Sequence, residues 1–268
     1  MPKHAKYRIR PGDKVRLKDF NSSDDGGLTK EAGKEEFAKL CCRLADMQEL
    51  LYAEGKHALL VVLQAMDTAG KDSTIREVFG AFNPQGCRVV SFKAPSEEER
   101  AHDFLWRIHA NVPRRGFVGV FNRSHYEDVL IVRVLKLQPE RIWRQRYEQI
   151  NAFEKHLAEN RVILLKFFLH ISKAEQAERL QARLTDKSKN WKFETGDLAM
   201  RARWSEFQRA YEDALNRCST PWAPWHVVPA DRKWYRDYVV SRVVLNALEK
   251  LKLKWPAPRE DLSKIRIR

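Results

Sequence analysis

Three charged residues and a glycine crowd into the short stretch QAMDTAGKD, residues 64–72: Asp67, Gly70, Lys71 and Asp72. The apolar run LLVVL precedes it, so the stretch reads as the turn between a buried strand and a helix, where backbone amides attract anions. Ala69 and Gly70 form the tight part of that turn, and Lys71 brings a mobile point charge to phosphate oxygens. Two carboxylates beside a phosphate imply a bridging divalent cation, most simply Mg2+, with Mn2+ as the alternative. The nucleotide-binding pattern G-x-x-x-x-G-K-[ST] is met only in part. Ala65 stands at its first glycine, and Asp72 at the hydroxyl that helps hold magnesium. Taken alone, a chance strand-to-helix turn explains as much.

A second cluster changes the balance. FNRSHYEDV, residues 121–129, follows another apolar strand and places Asn122, Arg123, Glu127 and Asp128 where the metal-holding group of a phosphoryl-transfer site belongs. A solvated loop explains its polarity but not its recurrence at the same sheet edge. Further on, Arg179 and Arg183 are four residues apart and share a helix face, with Lys187, Lys189 and Lys192 beyond. Such a stripe can close over phosphates, or it can be a solvated face partly neutralised by Glu175 and Glu178. Trp191 and Phe193 sit among these cations, and core packing is the expected role for them. His125 and His170 lack the spacing of a catalytic triad and read as structural.

These residues need a frame. Apolar runs at Ala58–Gln64, Cys87–Phe92, Gly116–Asn122, Arg161–His170 and Trp225–Pro229 suit strands buried on both faces. From Thr29 to Gly55, Phe37, Leu40, Cys41, Leu44, Met47, Leu50 and Leu51 recur at helical spacing. Ser96 with Glu99, and Ser172 with Glu175, predict capping boxes; Pro139 suits the first turn of a helix through Asn160, and Asp231 a helix cap in the tail. Strands alternating with helices predict an α/β, three-layer αβα fold with a central five-stranded parallel sheet and a helical lid at about 179–204. Residues 1–28 read as an arm laid over one domain that runs from 29 to 268.

The chain has 268 residues, a formal net charge of +14 and an isoelectric point near 9.7, which calls for a polyanionic partner: nucleic acid, an anionic membrane or polymeric phosphate. No apolar run approaches the roughly 18 residues of a membrane span, and the first residues lack the apolar segment of a signal peptide. Cys41, Cys42, Cys87 and Cys218 show no metal or redox spacing, so a cytoplasmic location is expected. A nucleic-acid-binding protein would suit the charge, but no such motif is present, and carboxylates at two strand ends would repel phosphate without metal.

Taken in order, QAMDTAGKD, FNPQG, SFKAPSEEE, FNRSHYEDV, LKFFLHIS, ERLQARL, WKF with GD, and APWHVVPADRKWYR resemble polyphosphate kinase family 2, from about Lys30 to beyond Asp237. The resemblance implies a thymidylate-kinase-like P-loop fold and transfer of a terminal phosphoryl group from inorganic polyphosphate to AMP, ADP or other purine nucleotides. It implies Mg2+ and a homo-oligomer, dimer or tetramer, with neither nucleic acid nor membrane as partner. Carried over by motif position, Asp67, Lys71, Arg123, Arg179 and Arg183 are the catalytic set, the last two as lid arginines gripping phosphate. Ala69, Gly70, Asp72, Asn122, Glu127, Asp128 and Lys192 would contact phosphate or nucleotide, Asp197 would lie nearby, and Asp67 and Asp128 would hold metal. Many relatives acting on ADP carry Asp at the position of Asn122; the form here looks like that of members using both AMP and ADP. An ATP-dependent nucleoside monophosphate kinase is the nearest rival, and Asp67 with Asp72 in the loop fits it poorly.

Overall fold

In a computed structural model describing residues 6–267, the strands β1 (Ala58–Ala65), β2 (Cys87–Ser91), β3 (Val118–Asn122), β4 (Val162–His170) and β5 (Trp225–Pro229) form one parallel sheet. They fall on the expected runs, with ends moved by a residue or two. The spatial order is β2-β3-β1-β4-β5. β1 is central and buried along its whole length, which is why its sequence is unbroken by polar residues until Gln64. Leu63 pairs with Asn122, and Ala65 with Leu169, so the carboxyl ends of β1, β3 and β4 share one edge. The chain leaves β1 toward β2, then crosses from β3 past β1 to β4. That reversal opens a crevice above β1 and β3, the usual ligand position in such sheets.

The helices are α1 (Lys30–Glu54), α2 (Lys71–Thr74, continued by a π-helical turn, Ile75–Phe79), α3 (Glu97–Ala101), α4 (Trp106–His109), α5 (Ile131–Val134), α6 (Glu140–Glu159), α7 (Lys173–Thr185), α8 (Thr195–Ala202), α9 (Trp204–Cys218) and α10 (Lys233–Lys250). Thr29 caps α1 by accepting from the Ala32 amide, and Gly55 ends it in the left-handed region at φ 64°. α1 packs on α10, whose buried face runs from Tyr235 to Leu248. None of these helices is long and apolar enough to cross a membrane.

Of the two predicted capping boxes, the one at Ser96 and Glu99 is complete. The other is half formed. Ser172 accepts from the Glu175 amide, but the Glu175 carboxylate turns to Arg179 Nε at 2.7 Å. The Ser172 amide donates instead to Asp231 Oδ1 at 2.8 Å, and Asp231 also accepts from the Ser22 and Ser23 hydroxyls. So Asp231 does not cap α10, as its sequence position suggests; it ties three chain segments together. Pro139 lies one residue before α6 rather than in its first turn.

Residues 6–28 run past β5, α9 and α10, with Tyr7, Ile9, Val15 and Leu17 buried. The Ile9 amide donates to Trp225 O, and Arg8 forms an antiparallel bridge with His226 beside the edge strand β5. Residues 1–5 of the expected arm lie outside the described residues.

Candidate active site

The turn after β1 is held by its carbonyls. Lys71 Nζ donates to Ala65 O at 3.2 Å, the Ala69 amide to Met66 O, Gln176 Nε2 to Asp67 O and Arg179 Nη1 to Thr68 O. Arg179 and Arg236 both donate to Ala69 O, while the Thr74 amide and Ser73 hydroxyl cover Gly70 O. Every carbonyl from Ala65 to Gly70 is thereby satisfied from within the protein. The amides of Gly70, Lys71 and Asp72 have no acceptor among the described residues, and they open onto the edge where phosphate is expected. Gly70 stands at φ 104° and Thr68 at φ 66°, the second a left-handed residue that its surroundings must hold.

From the end of β3, the second motif meets this turn. Asn122 Nδ2 donates to Asp72 Oδ1 at 2.7 Å. Arg123, itself left-handed at φ 65°, places Nη2 3.2 Å from Asp67 Oδ1 and Nη1 3.8 Å from Glu127 Oε2. Asp67, Lys71, Arg123 and Glu127 therefore form one partly buried cluster. Burial pushes the Glu127 carboxyl above its ordinary pKa despite Arg123 and Lys71. Burial also pushes the Lys71 ammonium down, with Arg123 adding to it. Arg123 is held up by Glu127 and Asp67 against the effect of its own burial. The charges here are close but incompletely compensated. Such a cluster favours an added phosphate with its cation.

Beneath the motif lies a second, fully enclosed set of charges. Lys166 Nζ, inside β4, donates to Glu154 Oε2 at 2.5 Å, Tyr126 OH at 2.7 Å and Cys218 O at 2.7 Å. Glu154 Oε1 accepts from Tyr126 OH at 2.8 Å and lies 3.2 Å from His125 Nε2. His125, Tyr126, Glu154 and Lys166 are all fully buried. His125 and Tyr126 belong to the same short turn as Glu127 and Asp128, so the network anchors the motif from below.

Three residues stand apart from the sequence expectation, Arg179 and Trp191 in the lid segment and Asp128 in the turn after β3. Arg179 spends all five of its N–H donors on Glu175, Thr68 O, Ala69 O, Ala230 O and Asp231 O, leaving none for phosphate. It braces the loop, whereas Arg183, bonded to Lys192 O at 3.0 Å and Asp197 Oδ2 at 2.7 Å, holds the lid together. Asp128 is turned toward α6, where Arg146 Nη1 binds its Oδ1 at 2.9 Å and its carbonyl at 3.1 Å, while Glu127 faces the loop charges. Trp191 is 78% exposed rather than packed in the core, with Lys192 Nζ 4.9 Å from its ring centroid. Asp197 faces inward: burial and the nearby Asp67 raise its pKa against Arg183. His170 is buried, and that burial lowers its pKa.

Four supporting residues had no place in the sequence-derived site: Gln176, Arg236, Lys166 and Glu154. The last two carry a legible signal, since Lys166 interrupts a run of apolar strand residues and Glu154 lies on the buried face of α6. A charge in such a place needs a partner.

A family model described as Polyphosphate kinase 2 matches residues 27–256. The chain is 51% identical over 264 residues to an AMP/ADP-polyphosphate phosphotransferase of Meiothermus ruber, covering 97% of this chain and 98% of that protein. It is 43% identical over 281 residues to an ADP-polyphosphate phosphotransferase of Rhodopseudomonas palustris, covering 98% and 97%. The crystal structure of polyphosphate kinase 2 from Arthrobacter aurescens superposes with a TM-score of 0.94 at 45% identity, covering 98% of this chain and 94% of that one.

Proposed function

The chain belongs to the polyphosphate kinase 2 family, and on that premise we propose that it transfers the terminal phosphoryl group of inorganic polyphosphate to AMP and ADP. The observation that carries this is the meeting of two strand ends: unfilled amides and Lys71 from one, Arg123 and Glu127 from the other, with Asp67 bonded across. In the reaction, a terminal phosphate oxygen of the nucleotide attacks the terminal phosphorus of the polymer. The bridging P–O bond breaks, and its electron pair leaves with the shortened polyphosphate. No enzyme nucleophile is needed; positioning and charge neutralisation suffice.

Lys71 and the loop amides bind and orient phosphate oxygens, and Arg123 neutralises charge that develops between donor and acceptor. Asp67 and Glu127 would hold a divalent cation together with phosphate oxygens. The donor set fits one, since the protein leaves Glu127 under-compensated. Two protein carboxylates suit Mg2+ shared with a substrate phosphate, since that ion is usually held by one or two carboxylates. When bound, that ion supplies Lewis-acid neutralisation of the phosphates. The net charge of +14 suits retention of a long polyanion.

Use of both nucleotides is supported by Asn122. Its amide donates to Asp72, which an aspartate at 122 could not do; two facing carboxylates would repel or draw in a cation and change where the acceptor phosphates sit. The test supplies AMP, Mg2+ and polyphosphate without ADP or ATP and follows all three nucleotides. ADP followed by ATP is expected. Absence of product with polyphosphate, but ATP formation from ADP with GTP as donor, would replace this reading by a nucleotide-dependent kinase. ADP without ATP would restrict it to AMP, and an unchanged AMP-to-ADP rate ratio in Asn122→Asp would remove Asn122 as the cause.

A further inference from the structure

We propose that Arg236 is a positioning residue for phosphoryl transfer: it fixes the orientation of the Ala69–Gly70 peptide and adds a steric reason for glycine at residue 70. This rests on reading the loop as the phosphate cradle.

Arg236 lies near the start of α10 and is fully buried. Its neighbour Asp237 engages it twice, Nε to Oδ1 at 2.9 Å and Nη2 to Oδ2 at 3.0 Å. That pairing anchors the guanidinium in one orientation. The remaining arm, Nη1, points at the loop and donates to Ala69 O at 3.3 Å, where Arg179 Nη1 also donates at 3.1 Å.

The consequence follows from peptide geometry. The described residues contain no cis peptide bond, and in a trans peptide the C=O and N–H point in opposite directions. Ala69 O and Gly70 N–H belong to one peptide unit. Drawing the oxygen inward with two guanidinium groups turns the Gly70 amide outward, and two charged donors on the oxygen polarise that amide as a donor. Gly70 N–H has no acceptor among the described residues. It is left for phosphate.

The same arm bears on the glycine. A Cβ at residue 70 would sit 2.0 Å from Arg236 Nη1 and 3.0 Å from Ser73 Oγ. A long side chain usually swings away from such a clash, but this guanidinium is buried and pinned by Asp237. The left-handed φ of 104° adds an independent penalty for any side chain. The two contributions separate in a double-mutant cycle.

Turnover and KM for polyphosphate are measured for wild type, Arg236→Lys, Gly70→Ala and the pair, well below each melting temperature. Lysine keeps a cation for Asp237 but removes the planar arm that reaches Ala69 O. Arg236→Lys is expected to lower kcat/KM for polyphosphate about tenfold, the scale of one charge-assisted hydrogen bond. Gly70→Ala is expected to cost at least about threefold less in the Arg236→Lys background than in wild type, because the pinned arm it meets is gone. Wild-type kinetics in folded Arg236→Lys, or strict additivity with Gly70→Ala, overturns the proposal; a role in stability alone would shift melting and leave both readouts unmoved. If Arg236→Lys does not fold, Arg236→Gln with Asp237→Asn takes its place, judged by the same outcomes. Wild type inactive with polyphosphate would instead mark failure of the functional reading itself.

Discussion

Two clusters of charge, each with a lysine and a glutamate and joined through one short turn, behave oppositely. In the buried network every charge has a partner within the protein: Lys166 is satisfied by Glu154, Tyr126 OH and Cys218 O. At the sheet edge, Arg123 lies at 3.2 Å and 3.8 Å from two carboxylates, and the Lys71 ammonium spends one of its donors on a carbonyl. Burial would raise the Glu154 pKa, but Lys166 and His125 outweigh it and hold it low; burial of Glu127 wins over Arg123 and Lys71 and leaves it high. A cluster that closes on itself fixes geometry. One left partly open has capacity for substrate charge.

Removing one partner from the closed cluster should have the largest effect. Lys166→Met strands a buried carboxylate and should lower unfolding free energy by about 3–5 kcal/mol in urea titrations, while Lys166→Met with Glu154→Gln recovers much of it. A cost near zero for Lys166→Met would show the network to be dispensable. In the open cluster the loss should appear in chemistry instead. Asp67→Asn and Lys71→Met should each lower turnover at least about a hundredfold, about 2.7 kcal/mol, with little change in melting temperature. Near-normal turnover in folded Asp67→Asn would dissolve the distinction.

The two arginines of α7 divide the same way. Arg179, bonded to four backbone carbonyls, should cost about 1.5–3 kcal/mol of stability as Arg179→Lys, whereas Arg183→Lys should stay within about 1 kcal/mol and act on turnover. Equal stability losses would place both in the frame.

The smallest expected effect is in pH, and there the signs oppose. Glu154, lowered in the fold, contributes stability that is present above its ordinary value of 4.5 and is lost as pH falls through the lowered one. Glu127, raised in the fold, opposes stability increasingly as pH climbs from 4.5 through its raised value. Mg2+ should therefore raise the melting temperature more above that window than below it, and the pH-dependent part should vanish in Glu127→Gln. A Mg2+ shift independent of pH, or retained in Glu127→Gln, would remove Glu127 as a ligand.

Most of the frame was legible because buried parallel strands need unbroken apolar runs, and such runs are local in sequence. The two strand-end motifs were legible for the same reason: a parallel sheet brings all carboxyl ends to one edge, so adjacency follows from topology before any contact is known. The bracing bonds of Arg179 were not legible because four-residue spacing says which face a side chain occupies, not whether that face meets solvent or the underside of a loop. Asp128 and Glu127, adjacent in sequence, could not be told apart without knowing that Arg146 of α6 waits behind one of them.

The α/β order, the phosphate-binding turn, the second motif and their common edge could be read from the residues in a row, since each depends on local periodicity or on residue types at short spacing. Which charges face each other across elements far apart in the chain was set by the packing of the folded layers. Arg236 lies 167 residues from Ala69, Lys166 lies 40 from Tyr126, and Asp231 lies 209 from Ser22. Hydrogen bonds and ion pairs act over a few ångströms of space regardless of sequence separation, so which residues brace the site emerges only when the packed layers bring them together.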